Sequence, residues 1–193
     1  MLLGDDIDPR GASQTVLNLY DNLPDPLPHP THLARARWFL AYAQLGYADQ
    51  QHRKDRLHHA LTEFQTLNDD WGIAACHLIL ASCALLQSDL PQFRHHSTRS
   101  LTLFTRIGDG WGQAEAMHLM GTLAEITGDY PQATQWRRDA QRIAERLHLW
   151  PLVAQTLAEL GRLALLTGDF TTADDLHEQA RRLAAEQSDK QTE

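Results

Sequence analysis

The sequence predicts an all-α fold: a right-handed helical-repeat solenoid of about four two-helix repeats behind an N-terminal capping segment. Three observations carry that prediction. Asp49, Asp89, Asp129 and Asp169 stand forty residues apart, the last two inside the near-identical words Thr127-Gly128-Asp129-Tyr130-Pro131 and Thr167-Gly168-Asp169-Phe170-Thr171. A second marker keeps the same step, since Asp70-Trp71-Gly72 recurs as Gly110-Trp111-Gly112 and Leu149-Trp150-Pro151 follows with a one-residue slip. A fixed period of this length marks stacked helical units that bury a continuous core only together. Lastly, no segment sustains the apolar–polar alternation of a strand, while apolar residues recur at steps of three and four.

The elements follow in chain order. Residues 1–30 differ from the rest: Val16, Leu17 and Tyr20 suit a short helix, and Leu23-Pro24-Asp25-Pro26-Leu27-Pro28-His29-Pro30 follows. Alternating prolines cannot be helical, so this stretch reads as an extended, stiff linker, and no basic flank marks it as a ligand for a proline-recognising domain. The repeat domain is expected over 31–187, with repeats near 31–70, 71–110, 111–149 and 150–187. Its A helices fall near 32–45, 73–87, 112–127 and 151–167, and its B helices near 50–67, 91–107, 131–147 and 171–186. In the third repeat Ala114, Met117, Gly121 and Ala124 form one helical face. Asp129 is a good N-cap for the next helix, Pro131 suits its first turn, and Ala133, Ala140, Ile143, Ala144 and Leu147 mark its apolar face. The fourth repeat repeats the scheme through Leu157, Leu160, Gly161, Ala164, Phe170, Ala173, Ala180 and Leu183. Small residues at Gly121, Ala133, Gly161 and Ala173 allow close helix approach, and Tyr130 and Phe170 are bulky enough to plug the gap between successive pairs. Residues 188–193 read as a polar tail that frays.

Composition bounds the function. Apolar residues make up 42% and charged residues 22%, a globular balance with no apolar run near the ~20 residues of a membrane span. The start, Met1-Leu2-Leu3-Gly4-Asp5-Asp6, turns acidic at once and lacks the basic and apolar regions of a secretory signal, so a cytoplasmic location is expected. A net charge of −8 repels a phosphate backbone, so nucleic acid is not an expected partner. Cys76 and Cys83 lie two turns apart on one helix, about 10 Å along its axis, too far for a disulfide.

Catalytic and metal motifs fare poorly. Gly108-Asp109-Gly110-Trp111-Gly112 looks like a phosphate-cradling loop but aligns with Asn68-Asp69-Asp70-Trp71-Gly72, so it reads as an inter-repeat turn. The pairs His58-His59 and His95-His96 point about 100° apart around a helix and occupy unrelated repeat positions, so they read as exposed helix-B histidines and not as metal ligands. No Gly-x-Ser-x-Gly is present, and a thiol in an apolar helix is inert. Asp5-Asp6, Asp69-Asp70 and Asp174-Asp175 fall at turns or helix starts, where acids favour the helix dipole. Neither an enzyme nor a cofactor is expected.

The repeat words resemble the tetratricopeptide repeat family over about 31–186. Met120-Gly121, Ala124, Gly128, Tyr130, Ala133 and Ala140 match its pattern in the third repeat, and Leu160-Gly161, Ala164, Gly168, Phe170, Ala173 and Ala180 match it in the fourth. The second keeps Leu80-Ala81, Ala84 and Leu90 but carries Phe93 at the small helix-B position. The first keeps Leu40-Ala41 and Ala60 but carries Arg53 there. The forty-residue step departs from the usual 34 and is similar to the variant in large bacterial transcription regulators, where such repeats sense ligands or partners. Neither a nucleotide-binding motif nor a helix-turn-helix accompanies it.

The resemblance implies a concave groove lined by the A helices, taking a protein or peptide partner. The side chains it places there are Arg35, Trp38 and Tyr42, then Leu78, Ser82 and Leu85, then Glu115, His118, Thr122 and Glu125, and last Gln155, Ala158 and Arg162. Trp38 and Tyr42 beside Arg35 have the character of a binding hot spot, though Trp38 equally suits packing under the N-terminal segment. The Lys and Asn set with which some family members clamp a C-terminal carboxylate is missing. Trp71, Trp111 and Trp150 read as inter-repeat packing, and Trp136, beside Arg137 and Arg138, as a weaker contact exposed on the convex side. Two other functions stay open: homodimerisation through the apolar edge of the last helix, at Leu176, Ala180 and Leu183, and small-molecule sensing in the groove.

Overall fold

The computed structural model describes residues 30–43 and 50–192, and every described element is a helix. In order they are α1 Pro30–Ala43, α2 Gln50–Thr66, α3 Asp70–Leu86, α4 Leu90–Ile107, α5 Gly110–Ile126, α6 Tyr130–Arg146, α7 Trp150–Leu166 and α8 Phe170–Thr192. Eight helices with no strand among the described residues make an all-α helical-repeat fold. The expected capping segment and proline-rich linker, and the weakest copy of the turn word around Asp49, lie outside the described residues.

One turn recurs between the described helices from α2 onward. Asn68, Ser88, Gly108, Gly128, His148 and Gly168, stepping by twenty, all take positive φ. Immediately after each, a backbone N–H reaches back to the preceding helix: Asp69 to Phe64, Asp89 to Ala84, Asp109 to Phe104, Asp129 to Ala124, Leu149 to Ala144 and Asp169 to Ala164, at 2.8–3.1 Å. This closes the helix end in the manner of a Schellman turn. The aspartates then cap the next helix, their Oδ1 accepting from the backbone N–H of Gly72, Gln92, Gly112, Gln132 and Thr172 at 2.6–3.1 Å. Leu149 is the exception and gives α7 no side-chain cap.

Most A helices therefore begin earlier than their apolar periodicity suggests. Trp71-Gly72 and Trp111-Gly112, read from the sequence as inter-repeat turn, are the first turns of α3 and α5. Gly72 and Gly112 answer to packing. A Cβ on Gly72 would lie 2.1 Å from the Phe64 ring, and one on Gly112 would lie 2.2 Å from the Phe104 ring. The C-terminus differs as well: residues 188–192, expected to fray, continue α8, in keeping with the good helix formers of Ala184-Ala185-Glu186-Gln187 and the absence of Gly or Pro.

Each helix packs on its chain neighbours, and α3 also touches α1 and α5, so the A helices lie side by side along one surface. A continuous core runs from Ala34 and Trp38 through Phe64, Ile79, Phe93 and Phe104 to Leu119 and Leu123. A second cluster joins Ala114, Ile143, Val153, Leu157 and Ala180, and a third holds Ala124, Ala133 and Leu163. Tyr130 plugs this third cluster and thereby bridges two helix pairs, whereas Phe170, expected to do the same in the fourth repeat, is 67% exposed. Trp136, expected on the convex surface, is half-buried against the third cluster.

Candidate binding groove

The A-helix surface begins with an aromatic group. Trp38 of α1 stacks on Tyr42 at 5.5 Å and meets the edges of Trp71 at 5.1 Å and Trp111 at 6.4 Å. It is buried, so its ring supports the site from beneath. Tyr42 and Arg35 are the exposed members. The Arg35 guanidinium lies 5.4 Å over the Trp71 ring and 3.6 Å from the Asp69 carboxylate. Burial and the nearby Glu115 carboxylate raise the Tyr42 hydroxyl pKa, which ties α1 to α5 across the surface.

The second repeat contributes less than its sequence suggests. Leu78 is in the core, Leu85 is half-buried against it, and the Ser82 hydroxyl donates back to the Leu78 carbonyl at 3.3 Å. Leu78, expected to line the groove, is therefore a packing residue. An apolar side chain on the face shared with two neighbouring A helices is drawn into the interface between them.

The third and fourth repeats are joined by a charge network around Arg137 of α6, which is 2% exposed. Its guanidinium pairs with Glu159 of α7 at 2.5 Å and lies 3.8 Å from Glu125 of α5. It donates to the Thr122 hydroxyl at 3.1 Å and reaches His118 Nδ1 at 2.8 Å. His118 in turn lies 3.1 Å from Glu159. Thr122 donates to the His118 carbonyl at 3.1 Å, and the Gln155 amide donates to Glu159 at 3.2 Å. Arg162 of α7 closes the network as a bidentate partner of Glu125, with Nη2 at 2.6 Å. Burial disfavours the charge on both Arg137 and Glu159. For Glu159 the His118 and Arg137 partners outweigh burial and hold its carboxyl below the usual range. Of the expected groove residues, His118, Thr122, Glu125 and Arg162 thus sit in one network and pair chiefly with one another. Arg137, noted in the sequence only as a neighbour of Trp136, is its centre.

Gly121 makes this possible. Arg137 crosses directly over it, 3.4 Å from where a Cβ would stand, and in the next repeat His177 crosses Gly161 at 2.7 Å. His177 there contacts the Ala158 carbonyl at 3.2 Å. Positions 97, 137 and 177 are equivalents forty residues apart, so the residue opposite the glycine was open to discovery from the period alone.

Between α5 and α7 lies a cleft of about 250 Å³, walled by Trp111, Glu115, Leu149, Pro151, Leu152 and Gln155. Glu115 and Gln155 were expected groove residues, and the structure brings them to opposite walls of one concavity. Burial lifts the Glu115 carboxyl pKa, His118 opposes that shift, and Glu159 adds to it.

The remaining chemistry-bearing groups lie elsewhere. Cys76 and Cys83 are free and buried, and burial raises both thiols. His58, His59 and His95 are exposed as expected, but His96 is half-buried, with Nδ1 2.9 Å from His77 Nδ1 on α3. Among the described residues no group of three or more His, Cys, Asp or Glu is arranged to hold a metal ion, and no helix is long and apolar enough to cross a membrane.

Residues 112–186 match the family model described as tetratricopeptide repeat. Solved structures with the same fold include BtubC (BKLC) from P. vanneervenii, 19% identical with a TM-score of 0.74, the match covering 95% of this chain and 76% of that one. Another is the Rap conjugation gene regulator of the plasmid pLS20, in complex with a Phr peptide, 16% identical with a TM-score of 0.81, covering 93% and 48%. A third is a signal transduction ATPase with numerous domains and a tetratricopeptide repeat sensor from Pyrococcus horikoshii, 14% identical with a TM-score of 0.71, covering 90% and 27%. The chain therefore spans about half the length of the Rap regulator it resembles. No curated protein matches the sequence. The repeats over 112–186 are of the tetratricopeptide type.

Proposed function

We propose that the chain is a non-catalytic scaffold that binds a protein or peptide along its A-helix surface, within a bacterial regulatory or signalling system. The observation that carries this reading is the cleft between α5 and α7. It shares Trp111 with the aromatic group of Tyr42 and Trp38, so apolar surface and the polar groups of Glu115 and Gln155 line one concavity. Such a mixture suits an extended peptide, which supplies side chains and backbone polar groups together. The Rap regulator of the same fold was solved with a peptide, which supports the same kind of ligand here. Arg35, Tyr42, Glu115 and Gln155 are the contacts we assign. His118, Thr122, Glu125 and Arg162 hold the floor in shape through Arg137.

The reading is tested by capture from cells of the source organism, comparing wild type with Arg35→Ala/Tyr42→Ala/Gln155→Ala. All three side chains are exposed, so the variant should keep its helical circular dichroism and melting temperature. A protein or peptide retained by wild type and lost from the variant is the expected result. Equal retention by both removes the groove from the function.

Self-association is a second reading, favoured by the exposed Phe170 beside Leu165 and Leu166. Leu176 and Leu183, expected at that edge, are half-buried in the second core cluster, and Ala180 belongs to that cluster. Phe170 is therefore the position to test. A concentration-dependent dimer by light scattering, lost on Phe170→Glu, would establish it.

A further inference from the structure

The acids on the A-helix surface are not alike. Glu125 is paired with Arg162, and Glu159 with Arg137 and His118. Glu115, equally part of this surface, has neither a hydrogen bond nor an ion pair among the described residues. It stands one turn after Trp111 on α5, in a cleft whose other walls are Leu149, Pro151, Leu152 and Gln155. A half-buried carboxylate with mostly apolar walls and no cation paired to it is costly to keep ionised, and burial, with Glu159 adding and His118 opposing, raises its pKa. A cation entering the cleft reverses that cost: it pairs with the carboxylate where water is scarce and lies against the indole of Trp111.

Resting on the peptide-binding reading above, we propose that this cleft is the subsite for one basic side chain, arginine or lysine, of the bound peptide, with Glu115 as its counter-charge and Trp111 as its aromatic wall. The size fits. At about 250 Å³ the cleft is smaller than the ~300–1,000 Å³ typical of a drug-sized ligand pocket and matches a single long side chain. Gln155 on the far wall offers a side-chain amide to the peptide backbone as that side chain enters. The basic groups of the neighbourhood are already engaged: Arg35 with Asp69, Arg162 with Glu125 and Arg137 with Glu159. An acidic peptide side chain therefore finds no free cation at this cleft, and the choice of sign is made by Glu115.

The test is selection of a displayed random heptapeptide library on wild type, Glu115→Gln and Glu115→Lys, each first shown to melt like wild type. The expected result is enrichment of Arg or Lys at one fixed position on wild type, loss of that preference on Glu115→Gln, and a shift towards Asp or Glu on Glu115→Lys. A synthetic peptide from the wild-type pool should bind about tenfold more weakly when its arginine is replaced by citrulline, and should quench tryptophan fluorescence on binding. Enriched peptides without a basic residue overturn the subsite and leave the groove reading standing. So does a basic preference that survives both substitutions. No enrichment on any of the three proteins overturns the subsite and the peptide reading together. Argininamide or spermidine alone binding as tightly as the peptide assigns the cleft to a small cation and overturns the proposal.

Discussion

The second and third repeats share a backbone plan and solve the same packing problem in opposite ways. Where the third carries His118, Thr122 and Glu125 on its A helix, the second carries Leu78, Ser82 and Leu85, forty residues earlier in each case. Where α6 sends Arg137 across Gly121, α4 has the fully buried Ser97. The second repeat seals its A-helix surface with apolar side chains, and the third builds it from charges that neutralise one another. An apolar seal rests on burial alone and tolerates small changes. A buried charge network depends on every partner, because each remaining charge is stranded when one is removed.

The sharpest way to break this comparison is to remove the two equivalent residues. Arg137→Leu strands Glu159 and loosens Glu125, and should cost about 3–5 kcal/mol in urea denaturation. Ser97→Ala removes a hydroxyl with no partner and should change stability by less than about 0.5 kcal/mol. Adding Glu159→Leu to Arg137→Leu should recover part of the loss. If the two single variants lose stability equally, the network is not what distinguishes the repeats.

The next largest effect treats the repeats alike. Gly72→Ala and Gly112→Ala each place a methyl group inside the van der Waals radius of a buried phenyl ring, Phe64 or Phe104. Each should destabilise by about 1–3 kcal/mol, the usual cost of overpacking, and pairing Gly112→Ala with Phe104→Leu should relieve most of it. A neutral Gly112→Ala would show that the ring moves aside freely.

Acidification should separate the repeats again, more gently. His77 and His96 are both held at about 4, by burial first, then for His77 by the charges of His96 and His95, and for His96 by that of His95. Arg99 adds to this for His77, and His58 and Lys54 for His96, while Asp89 opposes. A free histidine titrates near 6.5, so between about pH 6.5 and 4 the unfolded chain binds protons that the folded one refuses. Stability falls as pH drops through that window and levels off below it. In the third repeat Glu159 is held below the ordinary carboxylate range, so its contribution persists until pH falls beneath that range. Hydrogen exchange at pH 5 should therefore show α3 and α4 opening before α5 to α7, and His96→Gln should narrow the gap.

These contrasts show what a single sequence can carry. The forty-residue period made the helices legible because each boundary rests on local chemistry, an aspartate cap and a residue at positive φ. The Trp-Gly words misled, because the glycines that look like helix breakers at 72 and 112 are there to admit Phe64 and Phe104, contacts across a turn that periodicity does not encode. The charge network was hidden for a similar reason. Arg137 follows Trp136 and precedes Arg138, so its neighbours in the chain suggest a polar surface, while its partners Thr122, Glu125 and Glu159 come from two other helices. Glu115 could be placed on the A-helix surface from its register, but nothing in the sequence shows that it alone among the described A-helix acids of the last two repeats lacks a hydrogen bond or ion pair.

The turns that step by twenty residues also decide how the molecule can move. The six described linkers from α2 onward share a left-handed residue and the same backbone closure, and differ chiefly in that the one before α7 lacks a side-chain cap. A two-lobed binding protein shuts on its ligand by bending at one place. Here any bend must be shared among similar joints, as in a coiled spring. A ligand that tightens the curve at α5 and α7 would be felt as a small change of pitch along the array, and a mutation that softens a single joint would localise what is otherwise a distributed elastic response.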